Sequence, residues 1–177
     1  MLSPTRALSL KWWGVVPHHG LMTCNPHPLY LKIMKITGTS TARYATWYFL
    51  EDYRVLFDVG DGAAAALGPK CQKVQHVFLS HADRDHIGGL LQFNHLGARD
   101  SKPLHFYYPK DSSSFPAMKE FIEHFDASIA KSIWTPVEAG MRIDIGKRHL
   151  VEIGENYHIA IASGNTCLLY TSDAADD

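Results

Sequence analysis

The stretch His81-Ala82-Asp83-Arg84-Asp85-His86 places two imidazoles and two carboxylates within one turn of chain. The apolar run Val77-Phe78-Leu79 precedes it, and the helix-like stretch Ile87-Gly88-Gly89-Leu90-Leu91 follows it. Carboxylates crowded together after a buried strand are costly unless a cation neutralises them. The stretch therefore predicts a metal-binding turn between a strand and a helix.

The spacing within this turn predicts two adjacent cation sites. In an extended segment, His81 and Asp83 lie two residues apart, so their side chains point to the same side. Asp85 and His86 fall where the chain turns into a helix, so they can point to a second position nearby. Two neighbouring cations activate a shared water and stabilise both the attacking and the leaving oxygen of a hydrolysis. Asp85 would orient the water. A metal-free turn in which Asp83 or Asp85 caps the helix is the structural alternative.

The composition is that of one ordinary globular domain. The chain has 177 residues, of which 46% are hydrophobic and 20% charged, and its formal net charge is -1. This charge excludes a global attraction to nucleic acid or to an anionic membrane, so a polyanion would need a local patch or a metal. No apolar run reaches the roughly 20 residues that a membrane helix needs. Cys24, Cys71 and Cys167 are far apart and form no CxxC pair, which argues against a disulfide framework and favours a reducing compartment.

From Met34 the pattern alternates strands and helices, which predicts an α/β domain. A helix is predicted after Pro116, and its stripe of apolar residues is expected to pack in the core: Met118, Phe121, Ile122 and Phe125. The other expected helices cover 63–67 and 87–96. The expected strands cover 35–37, 46–50, 53–59, 74–80, 104–108, 133–137, 141–145, 149–153 and 157–162, with Gly154 separating the last two.

Both ends of the chain differ from this domain. Residues 1–33 are rich in proline and contain no acidic residue, which indicates either a targeting extension, for an organelle, or residues upstream of a true start at Met34. The second interpretation is favoured because Met34 opens directly on a strand. Residues 167–177 break the pattern and are expected to be an artefactual tail. The expected domain is therefore 34–166, truncated at its carboxyl end.

The stretch His81–Leu90 resembles the signature of the metallo-β-lactamase superfamily, whose usual form is His-x-His-x-Asp-His. The segments Gly38–Ser40 and Phe57–Gly62 resemble the opening of its ribonuclease Z-like branch. The resemblance spans 34–166 and implies an αββα sandwich, of which the first half and part of the second are present. It also implies that Asp58 supports the metal site without binding the metal.

The resemblance further implies a set of ligands. His81 and Asp83 would bind the first metal, and Asp85 and His86 the second. The family needs another histidine on the first metal, and His158 is nominated because it lies at a strand boundary after the next group of strands. The bridging aspartate and the last histidine of the family have no counterpart, so the chain by itself is expected to be inactive. The remaining histidines are expected to be structural: His76, His95, His105, His124 and His149.

Asp83 departs from the family pattern, because it stands where the usual form has its second histidine. A carboxylate in place of an imidazole makes the site harder, which moves its preference from zinc toward manganese or magnesium. Two divalent ions are expected, Zn²⁺ first and Mn²⁺ as the alternative. The His-x-Asp-x-Asp-His form also resembles the hydrolase domain of bacterial DNA-uptake channels, so the change does not imply inactivity.

The function implied by the resemblance is that of a metal-dependent hydrolase, specifically an endoribonuclease of ribonuclease Z type that processes tRNA 3′ ends in the cytoplasm. The alternatives are hydrolysis of another ester, a thioester, a lactam or DNA, and a non-catalytic metal-binding scaffold. The expected partners are RNA or another phosphodiester and, in the full-length protein, a second copy of the chain. No membrane is expected.

Overall fold

The computed structural model of the protein describes residues 6–11, 34–129, 131–146 and 149–157. Within these ranges, strands and α-helices alternate from residue 55 to residue 137, which confirms the predicted α/β class. None of the helices in the described ranges has the length and apolar character needed to cross a membrane.

The strands form two separate sheets. The larger sheet is mixed and has six strands, and the smaller one is antiparallel and has three. Their bounds, in chain order, are β1 (Arg6–Lys11), β2 (Ile36–Thr41), β3 (Ala45–Leu50), β4 (Val55–Phe57), β5 (His76–Phe78), β6 (His105–Pro109), β7 (Ile133–Val137), β8 (Arg142–Asp144) and β9 (Leu150–Tyr157).

In the larger sheet the strands lie in the order β2-β3-β4-β5-β6-β7. β2, β3 and β4 pair antiparallel, whereas β4, β5, β6 and β7 pair parallel. Because neighbouring parallel strands end at the same edge, the loops after β4 and β5 lie side by side. This edge carries Asp58 after β4 and the His81–His86 turn after β5.

In the smaller sheet the order is β1-β9-β8. β1 belongs to residues 1–33, and its six residues pair with β9 from Arg6 opposite Tyr157 to Lys11 opposite Glu152. The prediction that residues 1–33 are a targeting extension or precede the true start remains a prediction.

The helices cover one face of the larger sheet and the smaller sheet covers the other. One core lies between sheet and helices around Leu56, Phe93 and Phe106, and a second lies between the two sheets around Phe78 and Ile153. Burying each such side chain contributes about 2–3 kcal/mol. Three layers of the predicted four-layer sandwich are therefore present. The helices are α1 (Ala63–Leu67), α2 (Arg84–Ile87), α3 (Leu90–Gly97) and α4 (Ser114–Phe125), and 3₁₀ segments cover Glu51–Tyr53 and Gly68–Lys73.

Three details differ from the sequence predictions. The helix predicted over 87–96 is two helices, because Gly88-Gly89 interrupts it after α2. Gly154 does not separate two strands, because it lies inside β9 and pairs with β1. The apolar stripe of α4 is only partly core: Ile122 is buried, but Phe121 is 52% and Phe125 64% exposed.

Candidate metal centre

The His81–His86 turn begins where β5 leaves the sheet. His81 to Asp83 continue without secondary structure, and Asp83 has extended backbone angles (φ −73°, ψ 147°) immediately before α2. The Asp83 side chain makes no capping hydrogen bond to the helix. This observation argues against the structural alternative in which the aspartate serves as an N-cap.

The four side chains of the turn form two pairs, as their spacing predicts. His81 Nε2 lies 3.6 Å from Asp83 Oδ2, and His86 Nε2 lies 3.7 Å from Asp85 Oδ2. The two imidazole rings are 4.0 Å apart between centroids. Two donors on one zinc, each about 2.1 Å from the metal at a tetrahedral angle, are about 3.4 Å apart. Each pair is thus close to the spacing of two ligands on one ion.

Asp58 is hydrogen-bonded to both ends of the turn, at Ser80 and at His86. It is 7% exposed and has a left-handed backbone conformation (φ 55°), which is unusual for a residue other than glycine. Asp58 Oδ1 accepts the Ser80 backbone N–H at 2.8 Å, and Asp58 Oδ2 lies 2.8 Å from His86 Nδ1. The carboxylate therefore assigns the His86 proton to Nδ1, which leaves the Nε2 lone pair directed toward Asp85.

Ser80 extends the same support to His81. Its hydroxyl donates to Asp58, with Oγ 2.9 Å from Oδ1 and 2.8 Å from Oδ2, and it lies 2.9 Å from His81 Nδ1. Because the hydroxyl proton is used on Asp58, the oxygen accepts a proton from His81 Nδ1. In this arrangement both histidines carry a proton on Nδ1, and Nε2 is the nitrogen that would bind a cation. Sequence reasoning missed Ser80, although a serine between a buried strand and the first histidine was a visible signal.

Asp85 is held from the opposite side by the hairpin between β2 and β3. The backbone N–H of Arg43 donates to Asp85 Oδ2 at 3.0 Å. Arg43 takes a left-handed conformation (φ 68°) in this turn. The sequence offered no signal for this contact, because it joins residues 42 positions apart through the backbone. The side chain of Asp85 is 17% exposed and that of Asp83 is 55% exposed, so the Asp83 pair is the more accessible one.

Two glycines allow the loops around the turn to pack without a gap. A Cβ on Gly60 would lie 2.3 Å from Asp85 O and 2.4 Å from Thr46 N, and a Cβ on Gly89 would lie 2.5 Å from Gly60 O. The backbone N–H of Val59 donates to His86 O at 2.7 Å, and that of Gly89 to Val59 O at 2.8 Å. The position of the turn is therefore fixed by the backbone of the loop after β4.

The structure brings the predicted residues together two at a time. Among the described residues, no group of three or more His, Cys, Asp or Glu side chains is close enough to hold a metal ion. His158, the predicted additional ligand, lies outside the described residues. The donors fit a divalent cation in kind and in pairwise spacing, and their roles as ligands remain predictions.

No family model and no curated protein matches the chain. Among solved structures, the chain is similar to Zn²⁺-bound PqqB from Methylobacterium extorquens, with 12% identity and a TM-score of 0.43 over 58% of this chain and 36% of that one. It is also similar to the short form of human tRNase Z, with 22% identity and a TM-score of 0.42 over 59% of this chain and 44% of that one. The chain thus spans less than half the length of either structure, and neither similarity assigns a role to a residue.

Proposed function

We propose that the His81–His86 turn binds two divalent cations and that the chain is the metal-binding part of a metallo-β-lactamase-fold hydrolase. The observation that supports this proposal is the hydrogen-bonded chain from Asp58 through Ser80 to the two histidines. A buried carboxylate that fixes the tautomer of a histidine is the usual arrangement behind a metal ligand.

In this proposal His81 and Asp83 hold one cation and Asp85 and His86 hold the other. Bound divalent cations supply Lewis acidity toward the oxygens of a scissile ester. Asp85 takes the proton of the attacking water at Oδ1, since Oδ2 accepts the N–H of Arg43. Asp58 and Ser80 keep the imidazoles oriented while charge changes around them. The metal we propose is Zn²⁺, with Mn²⁺ as the alternative because Asp83 is a carboxylate.

The substrate class we propose is an RNA phosphodiester, as in ribonuclease Z and tRNA 3′ processing in the cytoplasm. Support comes from the two segments that resemble that branch, because both lie near the turn. Gly38–Ser40 lies in β2, which is one strand of the hairpin that contacts Asp85, and Phe57–Gly62 includes Asp58 and Gly60. Activity, RNA binding and homodimer formation are proposed for the whole protein, because the chain spans less than half of the structures it is similar to.

Asp85→Ala tests the proposal, with Asp111→Ala as the control. Asp111 is an exposed carboxylate in the turn after β6, so its removal causes the same charge change away from the turn. The readouts are Zn²⁺ binding by equilibrium dialysis and hydrolysis of a generic phosphodiester and of a tRNA precursor. We expect Asp85→Ala to weaken Zn²⁺ binding and to lower any turnover about 10²–10⁴-fold, with the fold retained.

The outcomes separate the alternatives. Zn²⁺ binding that depends on Asp85 without turnover of any ester favours a non-catalytic scaffold or the need for further ligands. Turnover of DNA or of a thioester in place of RNA would change the assignment of the substrate and leave the assignment of the metal site intact. Equal Zn²⁺ binding by the wild type and by Asp85→Ala would refute the assignment of the metal site.

A further inference from the structure

The opposite edge of the larger sheet, where the parallel strands begin, has a group of cationic and imidazole side chains that the metal centre does not use. Arg54 comes immediately before β4, and His76 and His105 are the first residues of β5 and β6. Arg99 and Lys102 join them from the turn before β6, where they form a β-bridge with each other. We call these five residues the amino-edge cluster.

Imidazole and phenol rings form one side of the amino-edge cluster. The rings of His76 and His105 are 5.6 Å apart between centroids, and His76 Nδ1 lies 3.3 Å from the hydroxyl of Tyr107. The ring of Tyr107 lies 6.0 Å from that of His76 and 6.3 Å from that of His105. The rings therefore present hydrogen-bonding nitrogens next to the cationic side chains.

The cations of the amino-edge cluster have no counterion among the described residues. No ion pair among the described residues includes Arg54, Arg99 or Lys102. The only polar contact of the Arg54 guanidinium within the described ranges is to Gln75 Oε1, at 3.4 Å. Arg99 Nη2 is buried and has no hydrogen-bond partner in the described part of the chain. Asp100 lies in the same turn but is exposed, and no ion pair among the described residues includes it.

The three cations are close enough to act on one another. Burial lowers the pKa of Lys102, and the charges of Arg54 and Arg99 lower it further. Burial, together with the charges of His105 and Lys102, lowers the pKa of His76 to about 4, so this imidazole is neutral at pH 7. Gathering like charges at a half-buried edge is unfavourable unless an anion offsets the repulsion.

We propose that the amino-edge cluster is a binding site for a phosphate group, either free or part of a phosphodiester chain. Planar guanidinium groups match phosphate oxygens in charge and in geometry, and a neutral imidazole can donate a further hydrogen bond. The site is separate from the metal centre. His76 precedes His81 by five residues of largely extended chain, or roughly 16 Å at about 3.3 Å per residue. The proposal of a phosphate site does not depend on the proposed hydrolase function.

The test uses the 177-residue chain with EDTA present, so that metal-bound phosphate does not contribute. Inorganic phosphate is titrated by calorimetry, and a labelled single-stranded RNA of eight nucleotides is titrated by fluorescence anisotropy. The variant is the double substitution Arg99→Gln and Lys102→Gln. The control is Lys110→Gln with Lys119→Gln, which removes the same charge from lysines that pair with Glu138 and Glu123.

We expect the cluster variant to bind at least one probe about tenfold or more weakly, because it loses charged hydrogen bonds, and the control to change its affinity less than twofold. A loss for inorganic phosphate supports a site for a free or terminal phosphate, and a loss for RNA alone supports a phosphodiester site. Binding of neither probe, or equal losses in variant and control, overturns the proposal.

Thermal unfolding distinguishes a loss of binding from a folding defect in the variant. Without phosphate, the cluster variant should unfold no earlier than the wild type, because it has lost like-charge repulsion. The probe that the wild type binds should raise the unfolding temperature of the wild type and not that of the variant. If the double variant unfolds earlier, Lys102→Gln alone replaces it in both titrations. A phosphate-dependent rise that persists in Lys102→Gln counts against the proposal.

Discussion

Replacing Asp58 with asparagine tests the hydrogen-bond chain that supports the metal centre. The carboxylate is 7% exposed and accepts hydrogen bonds from the Ser80 N–H, the Ser80 hydroxyl and His86 Nδ1, all at 2.8–2.9 Å. Hydrogen bonds to a charged group contribute about 1.5–3 kcal/mol and neutral ones about 0.5–1.5 kcal/mol. Removing the charge weakens each of these three bonds by about 1–1.5 kcal/mol and should therefore lower the free energy of unfolding by about 3–4 kcal/mol.

The same substitution should also reverse the tautomer of His86. An asparagine amide N–H₂ in place of Oδ2 would face His86 Nδ1–H, so the ring moves its proton to Nε2 and accepts at Nδ1. The Nε2 lone pair toward Asp85 is then lost. We expect Zn²⁺ affinity to fall about 10–100-fold, the usual effect of removing a residue that orients a metal ligand.

Urea unfolding measures the first effect, and competition with a zinc chelator measures the second. The ¹⁵N shifts of His86 report its tautomer directly. The control is Asp111→Asn, an exposed carboxylate after β6. If Asp58→Asn keeps both the Zn²⁺ affinity and the Nδ1-protonated tautomer of His86, the reasoning about this hydrogen-bond chain is refuted.

Two further predictions concern the backbone around the turn and the opposite edge of the sheet. Gly60→Ala puts a Cβ within 2.4 Å of the backbone of both Asp85 and Thr46, and should lower the free energy of unfolding by about 3 kcal/mol or more. The control Gly62→Ala places its Cβ in open space and meets only the strain of the positive φ (74°). Similar denaturation midpoints for the two variants would contradict this. The pKa of His76 is lowered from 6.5 to about 4, mainly by burial. The group therefore stabilises the fold above pH 6.5, and this stabilisation is lost as the pH falls toward 4. The loss amounts to at most about 3 kcal/mol of unfolding free energy. His76→Gln should flatten the decline in urea midpoint between pH 6.5 and pH 4, and an unchanged pH profile would show that His76 is not responsible.

The local properties of the turn could be predicted from the sequence. The order of β5, the turn and a helix followed from an apolar run, a crowded polar stretch and Gly88-Gly89. The pairing of His81 with Asp83 depends on neighbours two residues apart, because alternate side chains of an extended segment share a side. The pairing of Asp85 with His86 also lies within one turn of chain. Such contacts require no knowledge of the rest of the fold.

Predictions failed where the outcome depends on what packs against a segment. Helical spacing assigned the apolar stripe of α4 to the core, but the described elements cover Ile122 and leave Phe121 and Phe125 exposed. Glycine suggested a break at position 154, yet pairing with β1 keeps this residue in a continuous strand. Periodicity reports which residues share a face and not whether a partner covers that face.

The sequence by itself therefore determined the α/β class, the turn and the two pairs of candidate ligands, since these depend on contacts between near neighbours. Only the tertiary structure decided how the pairs are supported. Asp58 reaches His86 across 28 residues, and Arg43 reaches Asp85 across 42. These contacts exist because β4 and β5 are parallel neighbours that end at one edge and because the hairpin of β2 and β3 lies beside them. Strand order is set by the burial of both faces of the sheet, and no local pattern in the chain records it.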